Sequence, residues 1–256
     1  MDLDRLTFVL HRPSSAENIG AVARAMKNFG LFRLAVVAPP SWTGVPRGGG
    51  RGSARDEVLL RARKTARRAV DVLEGAAVHP DARSALATMT WTCGTTSRAV
   101  EGRPRLSPRE LAVELEARSG RGPVAVLFGE ERRGLSDREL DLCQAVCTIP
   151  THPAYDSMNL AQAAAVIAYE AASAAASPAV DAAGAAAGPG PARHETLEAF
   201  WDQLAAVLSA VGYLNPQNPE HILAEWRRLA ARAGPSQREV ELLLAGVRAL
   251  RRRLER

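Results

Sequence analysis

Cysteine is scarce: the three residues in this chain of 256, Cys93, Cys143 and Cys147, cannot all pair with one another. A disulfide framework is therefore not expected, which suits a reducing compartment. Metal-ligand patterns are also missing, since the five histidines show neither an H-x-x-x-H spacing nor a Cys/His cluster. Cys143 and Cys147 stand four apart on an expected helix or its end, with no third ligand at suitable spacing. They read as buried small residues, and no metal is expected. No run of about eighteen residues has the apolar bulk of a membrane span; the Ala-rich stretch near 171–187 is interrupted by Pro178, Asp181 and Gly184. The opening residues, MDLDRLTF, lack a signal-peptide pattern, so a cytoplasmic protein is expected. Lysine is nearly absent, with two residues against 31 arginines.

The arginines are not spread evenly. Residues 47–68 hold Arg47, Arg51, Arg55, Arg61, Arg63, Lys64, Arg67 and Arg68 against only Asp56 and Glu57. Residues 227–256 hold nine arginines against Glu239, Glu241 and Glu255. Each zone carries a local charge of +6 in a chain of net +5, so the remainder is net acidic. Two concentrated basic zones, one beside Gly48-Gly49-Gly50, suit a phosphate backbone. Solvated helix faces would give the same count, but charge concentrated in two zones favours contact with a nucleic acid.

Four places carry the chemistry. From Ile149 to Glu170, IPTHPAYDSMNLAQAAAVIAYE runs from a proline-bounded loop into a helix. Pro150 and Pro153 exclude a continuous helix or an inner strand there. Asp156, Ser157 and Asn159 are good capping types, and Leu160, Ala163, Ala164, Ile167 and Ala168 form a helical stripe. A second such junction follows the strand-like run Leu6–Leu10: Pro13 and two serines break it, and Ile19, Val22, Ala23 and Met26 recur at helical spacing until Gly30. Asn18 and Gly20 are expected where the chain turns into this helix, with Arg24 nearly two turns on and facing roughly the same side as Asn18. Third, Val124–Phe128 reads as a buried strand leading to Gly129, the charged turn Glu130–Arg133, Gly134 and a capping box of Ser136 with Glu139. Fourth, the strand-like run Met89–Cys93 ends in Gly94-Thr95-Thr96-Ser97-Arg98. In an open α/β sheet, loops at the carboxyl ends of strands are where ligands bind.

Taken in order, N-x-G-A-x-x-R (Asn18–Arg24), G-T-T-S-R, L-F-G-x-E-x-x-G-L (Leu127–Leu135) and I-P-x-x-P-x-Y-x-S-x-N-L-A-Q-A resemble the SPOUT superfamily of RNA methyltransferases. Within it the chain is similar to the TrmH-type 2′-O-ribose methyltransferases, and among these to the TrmJ-type tRNA enzymes, over roughly residues 5–172. The resemblance implies an α/β fold, a parallel sheet with a C-terminal trefoil knot. It implies S-adenosyl-L-methionine as cofactor, held mostly by backbone groups at Thr95, Thr96, Ser97, Gly129, Ile149 and Met158. Gly lets a backbone approach closely and Pro holds a loop in shape, which suits such a site. It implies catalytic roles for Arg24, Asn18, Glu131, Ser157 and Asn159. In the family Arg24 is the proposed base for the ribose 2′-hydroxyl. A guanidinium stays protonated, so a milder role is to bind the target phosphate and stabilise the developing alkoxide. Asn18 orients Arg24 or the ribose, Glu131 fixes loop geometry, and Ser157 and Asn159 hold cofactor and substrate. Met158 stands where Leu is commoner, a volume-conserving swap.

Three parts are expected: the methyltransferase domain over 1–172, a flexible Ala/Gly/Pro linker over 173–195, and a helical RNA-binding extension over 196–256. In the last, Leu197 to Val211, Ile222 to Leu229 and Val240 to Leu254 trace three apolar stripes, a small bundle that needs its neighbour or a second subunit for full burial. The resemblance implies a tRNA substrate, methylated at nucleotide 32 of the anticodon loop, and a homodimer. An rRNA substrate, and a non-catalytic RNA-binding protein on the same scaffold, are the alternatives.

Overall fold

The computed structural model describes residues 1–37, 54–152, 154, 157–176, 190–215 and 219–255. The Gly48–Gly50 segment with Arg47 and Arg51, the residues Pro153 and Asp156, and 177–189 of the expected linker lie outside the described residues. Seven strands form one sheet: β1 (Leu6–His11), β2 (Arg33–Val37), β3 (Ala77–His79), β4 (Trp91–Thr95), β5 (Arg105–Leu106), β6 (Val124–Phe128) and β7 (Ala145–Cys147). They run in the order β3-β2-β1-β6-β4-β7-β5, and every pairing is parallel. Such a sheet is apolar on both faces, and the strands alternate between two packed layers. Leu6, Phe8, Leu10, Val124, Val126 and Phe128 enter one core; Val9, Ala125, Leu127 and Val146 enter the other.

The first core is covered by α1 (Ala16–Asn28), α2 (Ala54–Ala66), α3 (Val70–Glu74), α5 (Pro108–Ser119) and α7 (Leu160–Ala176). The second is covered by the short helices α4 (Ala82–Leu86) and α6 (Asp137–Leu140). The knot implied by the resemblance concerns the chain after β6, where β7 enters between β4 and β5 and α7 then packs against α1 and α5. Among the described residues no helix is long and apolar enough to cross a membrane.

Three sequence readings need correction. Gly20 does not sit where the chain enters the helix; it lies inside α1 at the crossing with α2. A Cβ there would stand 2.0 Å from the Ala62 carbonyl oxygen and 2.2 Å from Thr65 Oγ1. Gly20→Ala should therefore push two backbones apart, at about 1–3 kcal/mol. That corresponds to a melting temperature lower by at least ~2–4 °C in a chain of this size, read by thermal unfolding. Cys147 lies in β7 and Cys143 in the turn before it, not on a helix. All three cysteines are buried and free, and burial pushes the thiols of Cys143 and Cys147 up to about 12. Strand β4 begins two residues later than expected, because Gly94 and Thr95 complete the strand. A Cβ on Gly94 would sit 3.0 Å from Leu140 and 3.1 Å from Cys143 Sγ, so glycine here serves packing beneath α6.

The C-terminal helices are α8 (His194–Ala210), α9 (Pro219–Ala233) and α10 (Gln237–Leu254). Phe200, Trp201, Leu204, Val207, Val240, Leu244 and Val247 form their core. Trp226, Leu229, Leu243, Leu250 and Leu254 of the expected stripes stay exposed. The described ends of the Ala/Gly/Pro segment are held in two ways: alanine favours helix at one, and backbone hydrogen bonds tether the other. Helix α7 runs to Ala176, while the His194 and Glu195 N–H groups donate to the carbonyls of Met89 (2.8 Å) and Ala87 (2.9 Å).

The bundle is clasped to the sheet by one buried carboxylate. Glu198, 6% exposed, accepts from Arg83 of α4 and Arg227 of α9, and Arg83 also pairs with Asp202 at 2.8 Å. Burial alone would raise the Glu198 carboxyl, but Arg227 and Arg83 outweigh it and hold the group below its ordinary 4.5. A depressed carboxylate stabilises the fold above its unfolded value and loses that contribution as pH falls through the folded value. The melting-temperature gap between the parent and Glu198→Gln should hold above about pH 5 and narrow as pH falls below the ordinary glutamate range. Scanning calorimetry across that window reads it.

Candidate active site at the carboxyl edge of the sheet

Because every strand is parallel, β1, β4, β6 and β7 all end at one edge. The loops that begin at residues 12, 96, 129 and 148 start there, one after each strand. Ser15 caps α1, its side chain accepting from the Asn18 N–H, and this sets the direction in which Asn18 leaves the helix.

Three of the expected residues meet directly. Asn18 Nδ2 donates to Glu131 Oε1 at 2.8 Å, and Asn159 Nδ2 donates to Asn18 Oδ1 at 3.2 Å. Glu131 Oε2 accepts the Ser14 N–H at 2.9 Å, and Asn159 Oδ1 accepts the Ala161 N–H at 2.9 Å at the start of α7. One polar chain thus ties the loops after β1, β6 and β7. Burial pulls the Glu131 carboxyl upward, yet the hydrogen bonds from Asn18 and Ser14 prevail and hold it below its ordinary range. It is an ionised acceptor joining the loop after β1 to the loop after β6.

The loop after β4 joins the same edge. Thr95 Oγ1 donates to the Leu127 carbonyl at 3.2 Å, and the Thr96 N–H to the Cys147 carbonyl at 3.0 Å. Thr148 Oγ1 donates back to the Thr96 carbonyl at 2.8 Å. Arg98 spans to the loop after β6, reaching the Leu135 carbonyl at 2.9 Å and Asp137 at 3.0 Å. Gly129 is needed where it stands: a Cβ would lie 2.3 Å from the Gly134 carbonyl carbon and 2.5 Å from the Leu135 nitrogen. Gly134, at φ +67°, turns the loop back so that its N–H donates to the Glu130 carbonyl at 2.7 Å.

Other expected residues are present but less engaged. Ile149 is half-buried against the first core, Met158 is half-buried, and Ser97 and Ser157 are exposed. Arg24 is exposed on α1 and makes no ion pair or hydrogen bond among the described residues. It does not share the face of Asn18: six residues turn a helix through about 600°, leaving the two a third of a turn apart. The sequence reading missed Ser14, Thr148 and His11, and gave Arg98 no role beyond its place in the G-T-T-S-R run. Ser14 acts through its N–H, which donates to Glu131, and Thr148 through a hydroxyl that donates to the Thr96 carbonyl and accepts from Arg105; no sequence motif signals either. His11 ends β1, half-buried; burial pushes its imidazole below the ordinary value, against the pull of Glu139.

Chemically, the edge offers backbone donors and acceptors, two amides and an ionised carboxylate. It offers no lowered-pKa thiol as a nucleophile, since burial raises all three cysteines. Among the described residues no group of three or more His, Cys, Asp or Glu is placed to hold a metal ion. Such an edge suits binding and orienting a reactive donor against an acceptor more than covalent catalysis.

Comparison with known proteins gives the chain a family. Residues 5–169 match the SpoU rRNA Methylase family, and residues 195–256 match the C-terminal domain of the tRNA methyltransferase TrmJ. The chain is 34% identical over 252 residues to the tRNA (cytidine/uridine/adenosine-2′-O-)-methyltransferase TrmJ of Pseudomonas aeruginosa, covering 94% of this chain and 91% of that one. It is 35% identical over 248 residues to the tRNA (cytidine/uridine-2′-O-)-methyltransferase TrmJ of Klebsiella pneumoniae, covering 94% of each. The crystal structure of TrmJ from Z. mobilis superposes with a TM-score of 0.78 at 31% identity, over 96% of this chain and 98% of that one.

Proposed function

We propose, starting from a chain that belongs to the SpoU methylase family and carries a TrmJ-type C-terminal domain, that it methylates a ribose 2′-hydroxyl in tRNA. Nucleotide 32 of the anticodon loop is the proposed target, S-adenosyl-L-methionine the proposed donor, and no metal is required. The observation that carries the reading is the hydrogen-bonded chain Glu131–Asn18–Asn159, which brings three distant motifs to one point.

The donor fits the β4, β6 and β7 loops. The space that a Cβ at Gly129 would fill is taken by backbone, so the loop presents main-chain atoms rather than side chains. Thr95, Thr96, Ser97, Gly129, Ile149 and Met158 hold the donor in this reading, and a methyl group on a positive sulfur needs only an in-line nucleophile. Arg24, exposed and without an ion pair among the described residues, binds the target phosphate and stabilises the developing alkoxide; the proton leaves through phosphate or water. Asn18 and Glu131 lock the loop after β1 against the loop after β6, and Ser157 and Asn159 position donor and ribose.

A homodimer and a cytoplasmic location complete the proposal. An rRNA substrate is disfavoured by the TrmJ-type domain at 195–256. Mass-spectrometric nucleoside mapping of tRNA and rRNA, with and without the gene, tests the whole reading. Loss of one 2′-O-methyl nucleoside from tRNA is expected; an unchanged tRNA profile beside a changed rRNA profile would refute the substrate.

A further inference from the structure

A crevice opens at the opposite edge of the sheet, where strands begin rather than end. Trp91 starts β4, Pro104 precedes β5 and Gln144 precedes β7; α8 and α9 close the other side. It encloses about 120 Å³, whereas one water needs roughly 10–15 Å³. A small polar group fits, and a folded macromolecule does not.

Its walls are unusually positive. Arg103, Arg118 and Arg121 come from the sheet side, and Arg227, Arg228 and Arg232 from α9, against only Asp141 and Glu198. Four of the six are already engaged: Arg103 with Asp141 at 2.5 Å, Arg118 with Glu114 at 3.1 Å, Arg227 with Glu198 and Arg228 with Glu225. Arg121 and Arg232 have no ion pair or side-chain hydrogen bond among the described residues.

A second observation points the same way. The His194 side chain is 5% exposed, and its Nε2 has no hydrogen-bond partner among the described residues. Glu198 Oε1, at 4.0 Å, is beyond hydrogen-bonding reach. Native proteins rarely leave a buried nitrogen unmet. The aromatic rings do not compete for the occupant: Arg118 lies 5.7 Å from the Trp91 ring centre and Arg227 lies 5.3 Å from that of Trp201. Those rings hold guanidinium groups in place. What remains on offer is N–H donors and positive charge beyond what one carboxylate would neutralise.

We propose that this crevice binds a phosphate group, with Arg121, Arg232 and His194 Nε2–H as its free donors. Guanidinium forks match phosphate oxygens in pairs, and a neutral imidazole carrying its proton on Nε2 supplies a third contact. The site is distinct from the carboxyl edge. Only the source of the phosphate touches the function proposed above: it is either a backbone phosphate of the tRNA or a free phosphate compound.

The test uses the full chain and the double variant Arg121→Gln/Arg232→Gln, whose exposed positions leave folding intact. Calorimetric titration with pyrophosphate should show saturable binding to the parent, weakened at least tenfold in the variant. If the phosphate belongs to RNA, the variant also weakens tRNA binding, pyrophosphate competes with tRNA, and the salt slope falls by about 1–2. If it belongs to a free compound, pyrophosphate binding is lost while tRNA binding is unchanged. The proposal is overturned if the parent binds no pyrophosphate and the tRNA salt slope is unchanged in the variant. Equal pyrophosphate affinity in the two proteins also overturns it. Binding of S-adenosylmethionine in the same samples reports on the carboxyl edge separately, so failure of the methyl-transfer reading is not mistaken for failure of this one.

Discussion

Arg24→Ala should lower turnover by about 10²–10³-fold, the usual loss when one fixed charge-stabilising donor is removed from a reacting centre. Stability should change by no more than ~0.5 kcal/mol, because Arg24 is exposed on α1 and engages nothing among the described residues. Single-turnover kinetics with tRNA, beside a thermal melt, read both quantities. Arg24→Lys then separates two roles. Lysine keeps the charge, loses the planar fork and is the easier group to deprotonate. If the fork matters, Lys stays near the Ala level. Recovery to near the parent rate would sink the fork and favour a base. An Ala variant within a few-fold of the parent would remove Arg24 from the mechanism altogether.

Asn18→Asp should be nearly as damaging, and in a pH-dependent way. The amide donates to Glu131 at 2.8 Å; a carboxylate in its place would face the Glu131 carboxylate with no proton between them. Two carboxylates at that separation cannot both ionise easily, so one apparent pKa of the pair rises. At neutral pH the loop after β1 should part from the loop after β6, with turnover down about 10²-fold or more if one charged contact is lost and another opposed. As pH falls, a shared proton restores the contact, so activity relative to the parent should climb toward the acid side. Asn18→Ala breaks the same hydrogen bonds without adding charge, and its deficit should be flat with pH. Parallel profiles for the two variants would contradict this account of Glu131.

Much of the scaffold was legible because its signals are local. Strand β6 is an unbroken apolar run with a glycine after it, and α1 repeats its apolar residues at helical spacing until Gly30 turns at φ +74°. What failed is what depends on partners distant in sequence. Gly94 looks like a turn residue until Leu140 and Cys143 are seen against it. Gly20 looks like a helix entrance until α2 is seen crossing there. The two-residue β5 and the three-residue β3 and β7 are too short to show a period at all. Exposure of Leu243, Leu250 and Leu254 follows from how little surface a three-helix bundle can cover, not from the pattern of α10. At the site, the motifs named Asn18, Glu131 and Asn159 only through their resemblance to a family. No local rule links residues 113 or 141 positions apart; the parallel sheet does that by bringing every strand end to one edge. The phase of Arg24, by contrast, was readable from helix geometry and was misread.

The loop after β6 carries one further consequence. Its ends are already in contact at Gly129 and Gly134, and the Gly134 N–H closes it onto Glu130. A small molecule settling there meets a shape that exists beforehand and loses little conformational freedom in the host. The protein made this payment when it folded, so residues that never touch the guest help to set how tightly it is held.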